Sequence, residues 1–243
     1  IKNEIESEIK NKRKELEQAD WGELAEKEKI DVTQPALPQK ERGHFHPSAI
    51  VQKDLEDLFA SMGFMTLDGP ELESDYYNFT AVNIPETHPA RDMQDTFYVK
   101  AKGERQKAKV GERWVMRTHT SSVQVRAMQK YGAPIKAIVP GKCFRNEATD
   151  ARHEHTFYQI EGFVVDKDIT FSHLKGVLEV VAEHLFGKGT KVRLRPKYYP
   201  FVEPGAGVDG LCIFCKGKGC KVCGGVGWLE LAGAGMIHPT VLK

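Results

Sequence analysis

The run TFYQIEGFVV, Thr156 to Val165, constrains the fold more than any other stretch of the chain. Its aromatic and β-branched residues make it a strand, and strand alternation puts Phe157, Gln159, Glu161 and Phe163 on one face and Tyr158, Ile160, Gly162 and Val164 on the other. An amide and a carboxylate therefore stand side by side in an otherwise apolar strand. Burying such groups without partners costs roughly 2–7 kcal/mol for the amide and more for the charge, so the strand must lie against something that satisfies them. A bound ammonium group is one solution; an internal arginine for Glu161 and a loop for Gln159 is another.

The residues just before this strand narrow the chemistry. Phe144-Arg145-Asn146-Glu147 places a cation and an anion on one face two residues apart, and the polar loop that follows carries His153 and His155. A hairpin with Arg, Glu and His near its turn and Phe, Gln and Glu on its return strand suits a nucleotide together with an amine. The arginine fork can face a phosphate, the glutamate can accept from an adenine amino group and the phenylalanine can stack on a base.

The surroundings predict an α+β fold, an antiparallel sheet flanked by helices. Ile50, Val51, Leu55, Leu58, Phe59 and Met62 recur at helical spacing before Gly63, and a second helix runs from an N-cap at Ser172 to Gly187. Strand-like runs fall at 95–101 and 113–117, paired around the polar stretch 102–112, and at 135–139, 142–147 and 192–195. From 1 to 30 the chain is dense in Glu and Lys, with Ile1, Ile5, Ile9, Leu16 and Leu24 as a thin apolar stripe; this predicts the end of a coiled-coil arm. Pro35, Pro38 and Gly43 mark 31–43 as a linker, leaving 44–243 as the core.

Hydrophobic residues at 40%, charged residues at 28% and a net charge of +1 fit an ordinary globular chain without a broad electrostatic grip on nucleic acid, so a polynucleotide would be held locally or by another subunit. No apolar run is long enough to span a bilayer and the N-terminal stretch lacks the apolar segment of a secretory signal, which sets the expected compartment as cytoplasmic.

Four of the five cysteines lie in CIFCKGKGCKVCGGVG, where Cys212, Cys215, Cys220 and Cys223 form two CxxC pairs. Four thiolates at this spacing, with glycines that let the backbone turn, predict a compact zinc knuckle over 212–227, ahead of disulfides or redox dithiols. Cys143 stands alone in an apolar strand and reads as a core residue; nothing orients His153 or His155 as a base for it.

FRNEATDARHEHTFYQIEG (144–162), together with GFMTLDGPELESDYYNFTAVNIPETHPARDMQDTFY (63–98), RTHTSSVQVRAM (117–128), YYPFVEP (198–204) and LAGAGMIHPTVL (231–242), resembles the alpha subunits of bacterial-type phenylalanyl-tRNA synthetases, class II aminoacyl-tRNA synthetases. The resemblance runs from about residue 44 to the end, with 144–162 similar to the family's motif 2. It implies ATP-dependent activation of L-phenylalanine to the adenylate and transfer to tRNA(Phe), with a beta subunit in an α2β2 heterotetramer. By position it implies that Arg145 contacts the α-phosphate and is the catalytic residue, that Glu147 and Phe157 hold adenine, and that His153 lies toward the phosphates. His119, Ser121, Gln159 and Glu161 would surround the amino acid's ammonium and carboxylate, with Gln94 as a further substrate contact. Tyr199 and Phe201 would form the aromatic end of the pocket, Tyr199 replacing the family's usual phenylalanine. Glu203 matches a magnesium-associated position, so Mg²⁺ joins ATP and structural Zn²⁺ as expected cofactors.

No protein nucleophile is required for such a reaction; alignment and charge stabilisation suffice. The family's motif 3 would lie beyond Leu242, so the core is expected to be cut short and the isolated chain to adenylate poorly. The alternative is a synthetase-like module that binds an amino acid or adenylate without charging tRNA.

Overall fold

A computed structural model of the chain describes residues 1–29, 43–92, 95–99, 113–146 and 154–243. Gln94, Glu147, His153, the polar stretch 102–112 and nearly all of the 31–43 segment lie outside these residues. Contacts divide the chain into two units, Ile1–His44 and Phe45–Lys243.

In the first unit, α1 (Lys2–Lys27) is a continuous helix exposed along its length, with Ile5, Ile9, Leu16, Trp21 and Leu24 all open to solvent. The helix anticipated from the sequence is present, and Trp21 adds a further exposed apolar side chain.

The second unit begins with α2 (Pro47–Ser61). Pro47 occupies the first turn, where no backbone donor is needed, and His46 Nδ1 accepts from Ser48 N at 3.2 Å. Leu55 and Phe59 are buried, and Gly63, at φ +81°, turns the chain out of the helix. It leads into β1 (Met65–Thr66), then β2 (Leu72–Ser74) and the short α3 (Asp75–Asn78). After β3 (Tyr98–Val99) and β4 (Trp114–Met116) come α4 (Ser121–Tyr131), the long strands β5 (Ile135–Phe144) and β6 (Thr156–Val165), α5 (Phe171–Phe186), β7 (Val192–Pro196), β8 (Val202–Leu211) and β9 (Trp228–Ile237).

Among the described residues the strands form three three-stranded sheets rather than one: β1-β5-β6, β2-β4-β3 and β7-β8-β9. All pairs are antiparallel except β1 with β5, which is parallel. Two stretches differ from the sequence reading. The runs 135–139 and 142–147 are one strand through Pro140 and Gly141, ending at Phe144, and α5 is capped by Thr170, not Ser172. Thr170 Oγ1 accepts from His173 N at 3.4 Å while His173 Nδ1 accepts from Thr170 N at 3.1 Å, a reciprocal box that ties up two free helix donors.

Helix α4 carries the core. Val123 and Ala127 pack with Ile135, Ala137, Val139 and Phe163 of the β5–β6 ribbon, while Val125 joins Phe79, Val82, Ile84, Val115 and Val241, with Phe201 against that second cluster. Met128 and Ile237 touch both. Buried charges near α3 are paired: Asp75 with Arg91 and Arg113 at 3.5 and 3.6 Å, and Glu73 with Arg126 at 2.6 and 2.9 Å.

Candidate active site

The register of β5 against β6 builds the site. Val139 faces Glu161, Gly141 faces Gln159 and Cys143 faces Phe157, so these side chains share one face of the ribbon. Arg145 continues that face. Its amide donates to His155 O at 2.9 Å, its Nε donates to Thr118 O at 3.4 Å, and its guanidinium stacks on the Phe157 ring, 4.8 Å from the centroid.

Across from the ribbon lies the turn into α4. Asn78 grips Thr118 twice, Nδ2 donating to Thr118 Oγ1 at 3.1 Å and Oδ1 accepting from Thr118 N at 3.2 Å, which fixes His119 and the start of the helix. From that start the Ser121 hydroxyl donates to Glu161 Oε2 in a short hydrogen bond. The sequence left two partners open for Glu161; among the described residues it has the Ser121 hydroxyl and no arginine. Its carboxyl is pushed up to about 7 by burial, partly offset by Ser121.

His119 Nδ1 accepts from Ser121 N at 3.2 Å, which leaves the proton on Nε2, a buried nitrogen without a partner among the described residues. Burial drives this imidazole down to about 4, against the Asn78 carbonyl and aided by Arg145 and Arg117. It is neutral at pH 7. Cys143 Sγ sits 3.8 Å from Gln159 Oε1, and burial pushes the thiol up to about 11, so it supplies no nucleophile at neutral pH.

The structure thus brings His119, Ser121, Arg145, Phe157, Gln159 and Glu161 together. Tyr199 and Phe201 stand on the turn into β8, their rings stacked at 5.5 Å and 27°. Asn83 Nδ2 donates to Pro200 O at 2.5 Å and holds that turn. Gly233 on β9 leaves room for the Tyr199 ring, since a Cβ there would come within 2.7 Å of Cζ and Oη. Glu203 is exposed on β8 and belongs to no group of three or more possible metal ligands among the described residues.

Sequence reasoning missed Arg117. Its guanidinium is buried on the site face, Nε donating to Lys142 O at 2.6 Å and Nη1 to Gly69 O at 2.9 Å. The available signal was the glycine in the strand: a Cβ at Gly141 would lie 2.0 Å from Arg117 Nη2.

The four knuckle cysteines converge, with all sulfurs within 4.8 Å of one another and contacts of 3.8, 3.8 and 3.7 Å. Tetrahedral ligands about 2.3 Å from a central ion are about 3.8 Å apart, so the spacing suits a metal. Amides of Gly219, Cys220 and Gly227 donate to sulfur, each at 3.2 Å. No disulfide is formed.

A long antiparallel ribbon with arginine stacked on an aromatic ring, facing a helix start that hydrogen-bonds its carboxylate, defines a class II synthetase core. The family described as tRNA synthetases class II core domain (F) matches residues 29–243. Pyrrolysyl-tRNA synthetase from Desulfitobacterium hafniense shares the fold with a TM-score of 0.51 at 14% identity, over 67% of this chain and 57% of that one. The phenylalanine–tRNA ligase alpha subunit of Bacillus pumilus (strain SAFR-032) is 48% identical over 245 residues, covering 100% of this chain and 68% of the relative. Those of Caldicellulosiruptor saccharolyticus and Bacillus subtilis (strain 168) are 48% and 46% identical over 100% of this chain and 68% of each relative. The chain belongs to the phenylalanine–tRNA ligase alpha-subunit family.

Proposed function

We propose that this chain is the amino-acid-activating subunit of a phenylalanine–tRNA ligase, taking L-phenylalanine, ATP and tRNA(Phe) together with a beta subunit in a complex of two alpha and two beta chains. The observation that carries the reading is the Ser121–Glu161 pair beside Gln159, with Arg145 further along the same ribbon face. An ammonium group takes the place of the proton that the half-buried Glu161 holds below about pH 7 and leaves a paired carboxylate. Gln159 and the neutral His119 add polar contacts without a competing charge. The amino acid's carboxylate then attacks the α-phosphate of ATP and pyrophosphate leaves. Arg145 stabilises the negative charge that develops on the phosphorus oxygens, and Phe157 offers its ring to adenine. Glu147 and His153 complete the ATP site, and Gln94 adds a substrate contact. Tyr199 and Phe201 form the ring end of the pocket.

Glu203 is the proposed contact for Mg²⁺, although among the described residues it belongs to no group of three or more possible metal ligands. The four cysteines hold Zn²⁺ in a closed structural site, which ties the β8–β9 connection.

The test is phenylalanine-dependent exchange of pyrophosphate into ATP, and charging of tRNA(Phe), by an alpha subunit of the relatives' full length that carries this sequence, assembled with a beta subunit. Both activities are expected, and Arg145→Ala should lower exchange by at least about a hundredfold, the scale of losing one stabilising donor. An assembled, folded complex without exchange would refute the reading.

A further inference from the structure

Arg117 is 2% exposed and carries a full charge, yet among the described residues it faces no carboxylate. Two carbonyls satisfy Nε and Nη1, and Nη2 donates to no described residue. That nitrogen rests over Gly141, whose register partner is Gln159, on the face that also carries Cys143 and Glu161. An internal staple between the carbonyls of Gly69 and Lys142 needs hydrogen-bond donors but no net charge. A buried cation with one uncommitted corner on a ligand face calls for an anion.

We propose that Arg117 is a substrate-binding residue, its Nη2 donating to the carboxylate of the bound amino acid from beneath Gln159. The proposal rests on the amino-acid reading of the site. Glu161 would hold the ammonium end and Arg117 the carboxylate end, with Gly141 required as the opening through which the guanidinium is presented. The charge already acts at this face, where it adds to the burial that lowers the His119 imidazole and opposes the burial that raises the Cys143 thiol.

The probes are L-phenylalanine and phenylalaninol, which keeps the amine and ring but lacks the carboxylate; the readout is the ratio of their affinities in the full chain. The unaltered chain should prefer phenylalanine. Arg117→Met should cut that preference about tenfold or more, the worth of a hydrogen bond to a charged group, with Arg117→Lys restoring part of it. Gly141→Ala, which displaces Nη2 and leaves the charge in the chain, should also reduce it. A staple alone would weaken both ligands alike, so a folded Arg117→Met with an unchanged ratio overturns the proposal. Should the Arg117 and Gly141 variants fail to fold, Arg145→Ala decides, because a preference kept without Arg145 supports Arg117 and its complete loss counts against it. An unaltered chain that binds phenylalaninol but shows no preference overturns the proposal alone, whereas one that binds neither ligand overturns the amino-acid reading as well.

Discussion

Burial shifts the Glu161 carboxyl and the His119 imidazole in opposite directions, disfavouring the charged form of each. Glu161 is raised to about 7 and His119 lowered to about 4, because a low-dielectric site disfavours whichever form is charged. A raised carboxyl favours the folded state below its unfolded pKa, and that contribution is lost as pH climbs from about 4.5 through 7. Glu161→Gln is therefore expected to raise the melting temperature of the ligand-free chain at pH 8, by the equivalent of about 1–2 kcal/mol after allowance for its partial exposure. The same substitution should weaken phenylalanine binding by at least about tenfold, because the ammonium loses its carboxylate. In the unaltered chain, affinity should fall about tenfold per pH unit below 7, as the ammonium must displace a proton from Glu161. Calorimetry between pH 5 and 8 checks both; affinity independent of pH across that range would show that Glu161 does not hold the ammonium.

Among the elements, the cysteine knuckle stands apart because its four sulfurs are placed as a tetrahedral ion would place them. Protein purified without chelators should contain one zinc per chain by metal analysis. A strong chelator should lower the melting temperature, and amide exchange should quicken in 212–227 while β5 and β6 keep their protection. Metal-free protein with the same melting temperature would exclude a structural metal. The knuckle was legible because cysteine spacing is local, and so was β6, whose alternation over ten residues leaves only one face for Gln159 and Glu161. Pro140-Gly141 was misread as a break because both residues usually interrupt strands. Here the glycine leaves space for Arg117, a residue 24 positions earlier in the chain; a glycine inside a strand signals a close approach but not which residue makes it. The two-residue β1 and its parallel pairing were likewise invisible, since so short a strand has no period. Thr170 was passed over in favour of Ser172 because both are good caps; the reciprocal bond to His173 decides between them.

At the scale of the molecule, the two units differ in how their apolar residues are used. The second has two clusters joined by α4, whereas α1 leaves every one of its apolar residues exposed. Folding stability therefore resides in Phe45–Lys243. Deleting residues 1–29 should shift the melting temperature by no more than about 2 °C, the scale of surface changes, while removing helical signal in circular dichroism. A large drop in melting temperature would show that α1 contributes to the core after all.

Helix α4 also sets a measure. Ser121, at its start, meets Glu161, and Val125 packs in the cluster that supports Phe201. These two positions are one helical turn apart, about 6 Å of rise. On the proposed reading of the site this helix is a rigid rod between the polar and aromatic ends, and a ligand side chain one methylene longer or shorter is expected to meet a fixed ruler rather than a yielding wall.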